Sequence, residues 1–287
     1  MLKRILTAAA LIPVVVLLIW WGPALLVSGV AAVVLLFALH EFFDLGDRAG
    51  LRAYRRWTML CAVGLMWAQY MQGLEVHSVG SDVELIRHAA SVFSSIEFVT
   101  TIFIFGAALI GIASRQAIAD ILPALAVSSA GFLFVAFPFS YLVRILELPE
   151  NGRQLVLFTL VLIWAGDTLA YFIGRAFGHS HMAPLLSPKK TWEGAAANLA
   201  ASLIVATFFA HWVHLDALAL FAIAGLANIA GQCGDLLESA YKRGAGTKDS
   251  GSLLPGHGGM LDRIDSLILA APVVWWALIW FQHGSRF

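Results

Sequence analysis

Nine stretches of mostly apolar residues, each close to the length that crosses a bilayer, leave few folds open to this chain. They cover approximately 5–21, 24–43, 57–72, 98–113, 121–145, 155–173, 194–212, 216–236 and 264–281. A spanning helix takes about 20 such residues at 1.5 Å each, because hydrocarbon offers no partner to an exposed N–H or C=O. Composition agrees. Of 287 residues, 60% are hydrophobic and 13% charged, against about 45–50% and 25% in a soluble domain. A water-soluble fold would have to expose large apolar faces, so the expectation is an all-α, polytopic membrane protein with about nine transmembrane helices. The first stretch follows Lys3 and Arg4 as in a signal peptide, but it runs without a cleavage pattern through Trp21-Gly22-Pro23 into the second. It reads as one arm of an uncleaved helical hairpin. The segment from Gly73 to Glu97 has room for an interfacial helix.

Lys and Arg favour the cytoplasmic side of short loops, which orients the bundle. With a cytoplasmic N-terminus, 14 of the 18 basic residues fall inside; Arg87, Arg144, Arg153 and Arg286 fall outside or at an outer helix end. The two richest polar loops, 174–193 and 237–263, then face the cytoplasm. The expected organisation is an N-terminal set of about five spans, 1–153, and a C-terminal catalytic membrane region, 154–287. Basic and acidic residues balance, which gives no case for a nucleic-acid partner. Cys61 and Cys233 lie in apolar runs and read as small buried hydrophobes without a redox role. No repeat of fixed period supports an inverted-repeat transporter.

An acid inside a span costs about 2.5–3.5 kcal/mol on insertion scales, so it marks a functional position. Asp167 lies deep in the sixth span and Asp235 near the inner end of the eighth. For Asp167 the bland alternative is a helix-packing hydrogen bond. Glu41, at the inner end of the second span, reads as an interfacial acid.

The stretch from Ser239 to Ser266 packs Lys242, Arg243, Lys248 and Arg263 with Asp249, Asp262 and Asp265 among glycines. Glycine lets N–H groups turn toward an anion, and Lys and Arg supply charge and forked donors to phosphate oxygens. Carboxylates among phosphate binders hold a hard cation, since Mg²⁺ takes one or two carboxylates together with substrate phosphates. This is the inventory of a metal-nucleotide site. Asp262 and Asp265 share a face if the ninth helix has begun there. His257, within Gly-His-Gly-Gly, reads as a phosphate or nucleotide contact rather than a ligand, because such a cation prefers oxygen. His179/His181 and His211/His214 lack the further ligands of a zinc site. In the other inner loop, Ser187-Pro188-Lys189-Lys190-Thr191-Trp192-Glu193-Gly194, Pro188 suits a helix start or tight turn. The lysines are either interfacial anchors or a clamp for a lipid phosphate.

These residues carry a resemblance. Ser239, Lys242-Arg243, Lys248-Asp249, Gly251, Leu254-Pro255, His257-Gly258-Gly259 and Asp262-Arg263-Ile264-Asp265 resemble the signature of the phosphatidate cytidylyltransferases, the CDP-diacylglycerol synthases. The runs at 188–194 and from Gly166-Asp167 to Gly174-Arg175 are similar too; the N-terminal half matches only in length and hydropathy. Tyr241 departs from the aliphatic or Phe expected there. The resemblance implies transfer of the cytidylyl group of CTP to phosphatidate, giving CDP-diacylglycerol and pyrophosphate for phospholipid biosynthesis. It implies Mg²⁺, in more than one copy, with Asp235 and Asp262 as ligands and Asp265, Asp249 and Asp167 as further candidates. Lys248 and Arg263 join these two aspartates in catalysis. Lys189, Lys190, Ser239, Lys242, Arg243, His257, Gly258 and Gly259 are implied to bind substrate, the adjacent lysines meeting the lipid phosphate. A homodimer in the cell (inner) membrane is implied likewise. The alternative is a CTP-dependent polyprenol kinase, which would move the γ-phosphoryl group instead; a transporter is the more distant one.

Overall fold

The computed structural model describes residues 2–77, 91–92, 95–114, 116–213, 215–251 and 258–284. Most of the segment between Gly73 and Glu97, with its expected interfacial helix, lies outside them. Nine helices form among the described residues: α1 Leu2–Trp21, α2 Ala24–Arg48, α3 Arg55–His77, α4 Ile96–Ala113, α5 Ile118–Leu146, α6 Gly152–Phe177, α7 Trp192–Val213, α8 Ala217–Gly244 and α9 Leu261–Gly284. Each expected apolar stretch coincides with one of them, in order. Seven, α2 and α4 to α9, are long and apolar enough to cross a membrane. The protein is an all-α, polytopic membrane protein. Helix α1 carries the first apolar run, from Ile5 to Trp21. Helix α3 is less apolar because Gln69 and Gln72 turn into the bundle, where Gln69 donates to Ser140 at 3.0 Å and both accept from Arg144.

Helix ends follow local chemistry. Ser95 caps α4 by accepting from Phe98 N at 3.0 Å, and Asp216 caps α8 by accepting from Ala219 N at 3.0 Å. In α5 a π-helical stretch, Gly131–Ala136, interrupts the α-helix and buries Phe132 in a stack on Phe103, centroids 4.2 Å apart. One continuous apolar core draws on both halves of the sequence, with Phe43, Phe132, Phe158, Leu220 and Leu261 fully buried. Large side chains such as Phe105, Leu218 and Trp280 point outward, as lipid-facing positions allow.

Contacts between helix ends give the bundle a polarity. At one end Trp20 stacks on Trp212, Arg153 donates to the carbonyls of Ile19 and Trp20, and Asn151 donates to that of Val213. At the other, Arg55 bridges Asp44 and Asp47, both at 2.7 Å, and Arg48 donates to Thr247. This second end gathers the segments at 44–56, 174–193 and 237–251 and carries the site.

Two features differ from the expected plain loops. Helix α8 continues past its apolar run to Gly244, helped by a Glu238–Lys242 pair one turn apart. Residues 181–191 form a two-stranded antiparallel hairpin, β1 His181–Ala183 and β2 Ser187–Thr191. Pro188 therefore sits in a strand rather than at a helix start or turn, a position open to it because a two-stranded sheet has only edges.

Candidate active site

Residues three apart on α8 and the fifth residue of α9 meet where these helices pack. Asp235 and Glu238 of α8 and Asp265 of α9 offer carboxylate oxygens that all lie within 4.8 Å of one another. Like charges this close repel strongly in a partly dry setting. Glu238 is 3% exposed, and its Oε1 has no hydrogen-bond partner among the described residues. Three converging carboxylates, one with a buried unused oxygen, fit a hard divalent cation, whose charge would cancel the repulsion. Asp235 is also held by Lys190 Nζ at 2.5 Å.

Asp262 sits beside this cluster in different surroundings. Its Oδ1 meets Lys242 Nζ at 2.6 Å, while Oδ2 accepts from Ser250 N (3.1 Å), Ser250 Oγ (3.0 Å) and Gly259 N (2.9 Å). Lys242 also reaches Glu238, so it bridges the acids of α8 and α9. The glycines here serve close approach. Gly258 has φ +80°, and a Cβ on Gly259 would strike both Ser250 Oγ and the carboxylate of Glu41. Glu41 reaches in from α2, accepting from Ser250 Oγ at 3.0 Å and Leu261 N at 2.8 Å.

A cavity of about 810 Å³ opens next to Asp235, bounded by α6, α7, α8 and the hairpin. Asp167, Arg175, Lys189, Lys190, His181 and Gln232 are among its polar groups, and Gly174, Gly178 and Gly194 let the backbone close around Thr191 in its wall. Lys189 stands exposed at the rim while Lys190 turns in to Asp235. The hairpin is fixed at its base, where Trp192 N donates to Ser180 O and Ser180 N donates to the Glu193 carboxylate. Arg243 Nε holds the turn through Leu186 O at 3.1 Å. Behind the cavity runs a polar ladder. Asn198 donates to Asp167 at 3.2 Å and accepts from Asn228 at 2.5 Å, and Asn228 also meets Ser202 and Gln232. Asp167 thus faces the cavity and also makes the helix-packing hydrogen bond weighed for it.

The expected site residues are therefore divided. Asp235 and Asp265 come together, with Asp262 next to them through Lys242; Asp167, Lys189 and Lys190 line the adjoining cavity. Lys248, Asp249 and Arg263 are exposed, and Ser239 is buried on α8. Lys242, Arg243 and the Gly259 N–H are engaged by protein groups, and His257 lies outside the described residues. Sequence reasoning missed Glu238, Asn198, Asn228 and Glu41. The i, i+4 spacing of Glu238 and Lys242 was a signal for the first; the others are polar residues in apolar runs whose partners lie far along the chain.

Comparison with known proteins supplies the context. Phosphatidate cytidylyltransferase of Haemophilus influenzae is 45% identical over 130 residues, 43% of this chain and 45% of that protein. Those of Bacillus subtilis and Staphylococcus haemolyticus are each 38% identical, over 152 and 148 residues, covering 52% and 51% of this chain and 56% and 55% of theirs. The chain thus spans about half the length of the curated relatives it matches. The profile of the cytidylyltransferase family matches residues 2–281, nearly all of the sequence, and the chain belongs to that family.

Proposed function

We propose that this protein transfers the cytidylyl group of CTP to phosphatidate, forming CDP-diacylglycerol and releasing pyrophosphate. The observation that carries the reading is the meeting of the Asp235–Glu238–Asp265 cluster with a cavity walled by Lys189, Lys190 and Arg175 at one end of a membrane bundle. The names of the relatives support it. A phosphate oxygen of phosphatidate forms a bond to the α-phosphorus of CTP as the bond to pyrophosphate breaks. The nucleophile is already ionised, so no strong base is required, and catalysis is mainly positioning and charge neutralisation. A divalent cation, which we take to be Mg²⁺, held by Asp235, Glu238 and Asp265 would supply that neutralisation at the phosphates. Asp167, across the cavity, is proposed for a second cation, with exposed Asp249 as the other candidate.

Lys190, between Asp235 and the cavity, is positioned to exchange its carboxylate partner for a substrate phosphate. Lys189 and Arg175 at the rim suit the lipid phosphate, with exposed Trp192 at headgroup depth. Lys248, Arg263, Ser239, His257 and Gly258 keep their assigned parts in catalysis or substrate binding as proposals. Asp262, Lys242 and Gly259 act through the arrangement of the acids. We assign the chemistry to 154–287 and the scaffold to 1–153. The site faces the cytoplasm of the cell inner membrane, on the distribution of basic residues, and the protein works as a homodimer. The test supplies purified protein in detergent with phosphatidate and CTP labelled at either the α- or the γ-phosphorus. Label from α-labelled CTP in lipid, abolished by chelator, is expected. Label from γ-labelled CTP in lipid, or full turnover in excess chelator, overturns the proposal.

A further inference from the structure

Glu41 belongs to α2, far from the acidic cluster in sequence, and by position it is an interfacial acid. It is 6% exposed. Burial of a carboxylate is costly unless hydrogen bonds and charge satisfy it. Its Oε2 takes two donors: the hydroxyl of Ser250 and the backbone N–H of Leu261, the first residue of α9. An anion there is favoured by the unpaired N–H groups and the dipole of a helix start. The same Ser250 hydroxyl lies 3.0 Å from Asp262 Oδ2, so its single proton is shared between the two carboxylates and one side chain joins Glu41 to Asp262. Around this junction the backbone is cut back. A Cβ on either Gly251 or Gly259 would collide with the Glu41 carboxylate. Phe42, the next residue of α2, packs edge-on against Tyr241 of α8, centroids 5.3 Å apart. Helix α2 thus touches both helices that supply the acids.

We infer that Glu41 is a positioning residue for the acidic cluster: by bonding Ser250 and Leu261 N it sets the start of α9, so that Asp265 faces Asp235 and Glu238. The assignment rests on the proposed role of that cluster in holding a divalent cation. It gives the N-terminal half a part in the site that its hydropathy does not suggest. Glu41 touches neither Asp235 nor Asp265, so its effect must appear in how well the cluster binds a cation. Partners that orient metal ligands are worth about 10–100-fold in affinity or activity.

The experiment uses full-length protein in detergent and reads Mn²⁺ binding by electron paramagnetic resonance alongside the cation dependence of turnover. Glu41→Ala should weaken Mn²⁺ binding about tenfold or more, and raise the half-saturating Mn²⁺ for turnover in parallel. Glu41→Gln keeps an oxygen that can accept both hydrogen bonds, so it should restore binding to within about threefold of wild type, the remainder reflecting the lost charge at the helix start. A general loss of folding would not spare the Gln variant or shift metal dependence selectively. If Glu41→Ala is not recovered as a monodisperse species, Ser250→Ala carries the test. It leaves Glu41 bonded to Leu261 N and should weaken Mn²⁺ binding about three- to tenfold. Folded Glu41→Ala with wild-type Mn²⁺ binding, or Glu41→Gln as impaired as Glu41→Ala, overturns the inference, as does unchanged binding in Ser250→Ala where that variant is needed. Should wild type transfer no cytidylyl group while Mn²⁺ binding still weakens in Glu41→Ala, the reaction assignment fails and the positioning role stands.

Discussion

Asp235 and Asp262 are both acids of the site, yet their surroundings predict opposite failures when each is changed to Asn. Asp262 has a side chain 9% exposed, paired with Lys242 at 14%, and collects three further hydrogen bonds from Ser250 and Gly259. Breaking a buried ion pair by removing one partner costs about 3–5 kcal/mol. Asn keeps one oxygen for the Ser250 and Gly259 donors, so the lower end, about 3 kcal/mol, is expected for Asp262→Asn. That corresponds to a fall in melting temperature on the order of 10 °C. Asp235 has a side chain 30% exposed, and its ion-pair partner Lys190 is 24% exposed. Such a pair is worth about 0–1 kcal/mol once solvent screening is allowed for, and removing the Asp235 charge also relieves repulsion from Glu238 and Asp265. Asp235→Asn should therefore melt within a few degrees of wild type. Its turnover should nevertheless fall about 10²-fold or more, as on removal of one preorganised electrostatic group. The assay pairs thermal denaturation in detergent with initial rates from α-labelled CTP at saturating Mg²⁺. Adding divalent cation should raise the melting temperature of wild type but not of Asp235→Asn, because a ligand stabilises only the state that binds it. An Asp262→Asn protein as stable as wild type, or an Asp235→Asn protein less stable than Asp262→Asn, would refute this division of roles.

Other expectations follow from single contacts. Lys189→Cys and Lys248→Cys, both exposed, should react with a membrane-impermeant thiol reagent from the same face; labelling from opposite faces would break up the site. Asn198→Ala leaves Asp167 without its amide donor and Asn228 short of an acceptor, and should cost about 1–3 kcal/mol in thermal or chemical denaturation. Gly166→Ala would place a Cβ inside the Asn198 side chain, whereas a Cβ on Gly225 meets nothing within 4 Å. The first should lose about 1–3 kcal/mol and the second almost nothing, and equal stability of the two would argue against the α6–α7 contact.

That this chain crosses a membrane repeatedly is legible in its residues alone. Hydrocarbon leaves an apolar run of spanning length only the helix, so each of the nine runs became one. The sequence also marked Asp167, Asp235, Asp262 and Asp265 as suspect, because a charge in or beside such a run needs a reason, and Lys189 and Lys190 as partners for an anion. What it left undecided is which acids meet. Only helix packing turns Asp265 toward Asp235 and leaves Asp262 bonded to Lys242 and Ser250, a choice that the spacing of the two aspartates does not make. Glu238 joins Asp235 because α8 continues past its apolar run and keeps the two on one face. Glu41 and Ser250 are 209 residues apart, and nothing in either neighbourhood names the other. Local rules act over a helical turn, whereas a buried carboxylate finds its donors wherever the packed helices bring them, so that choice belonged to the tertiary structure.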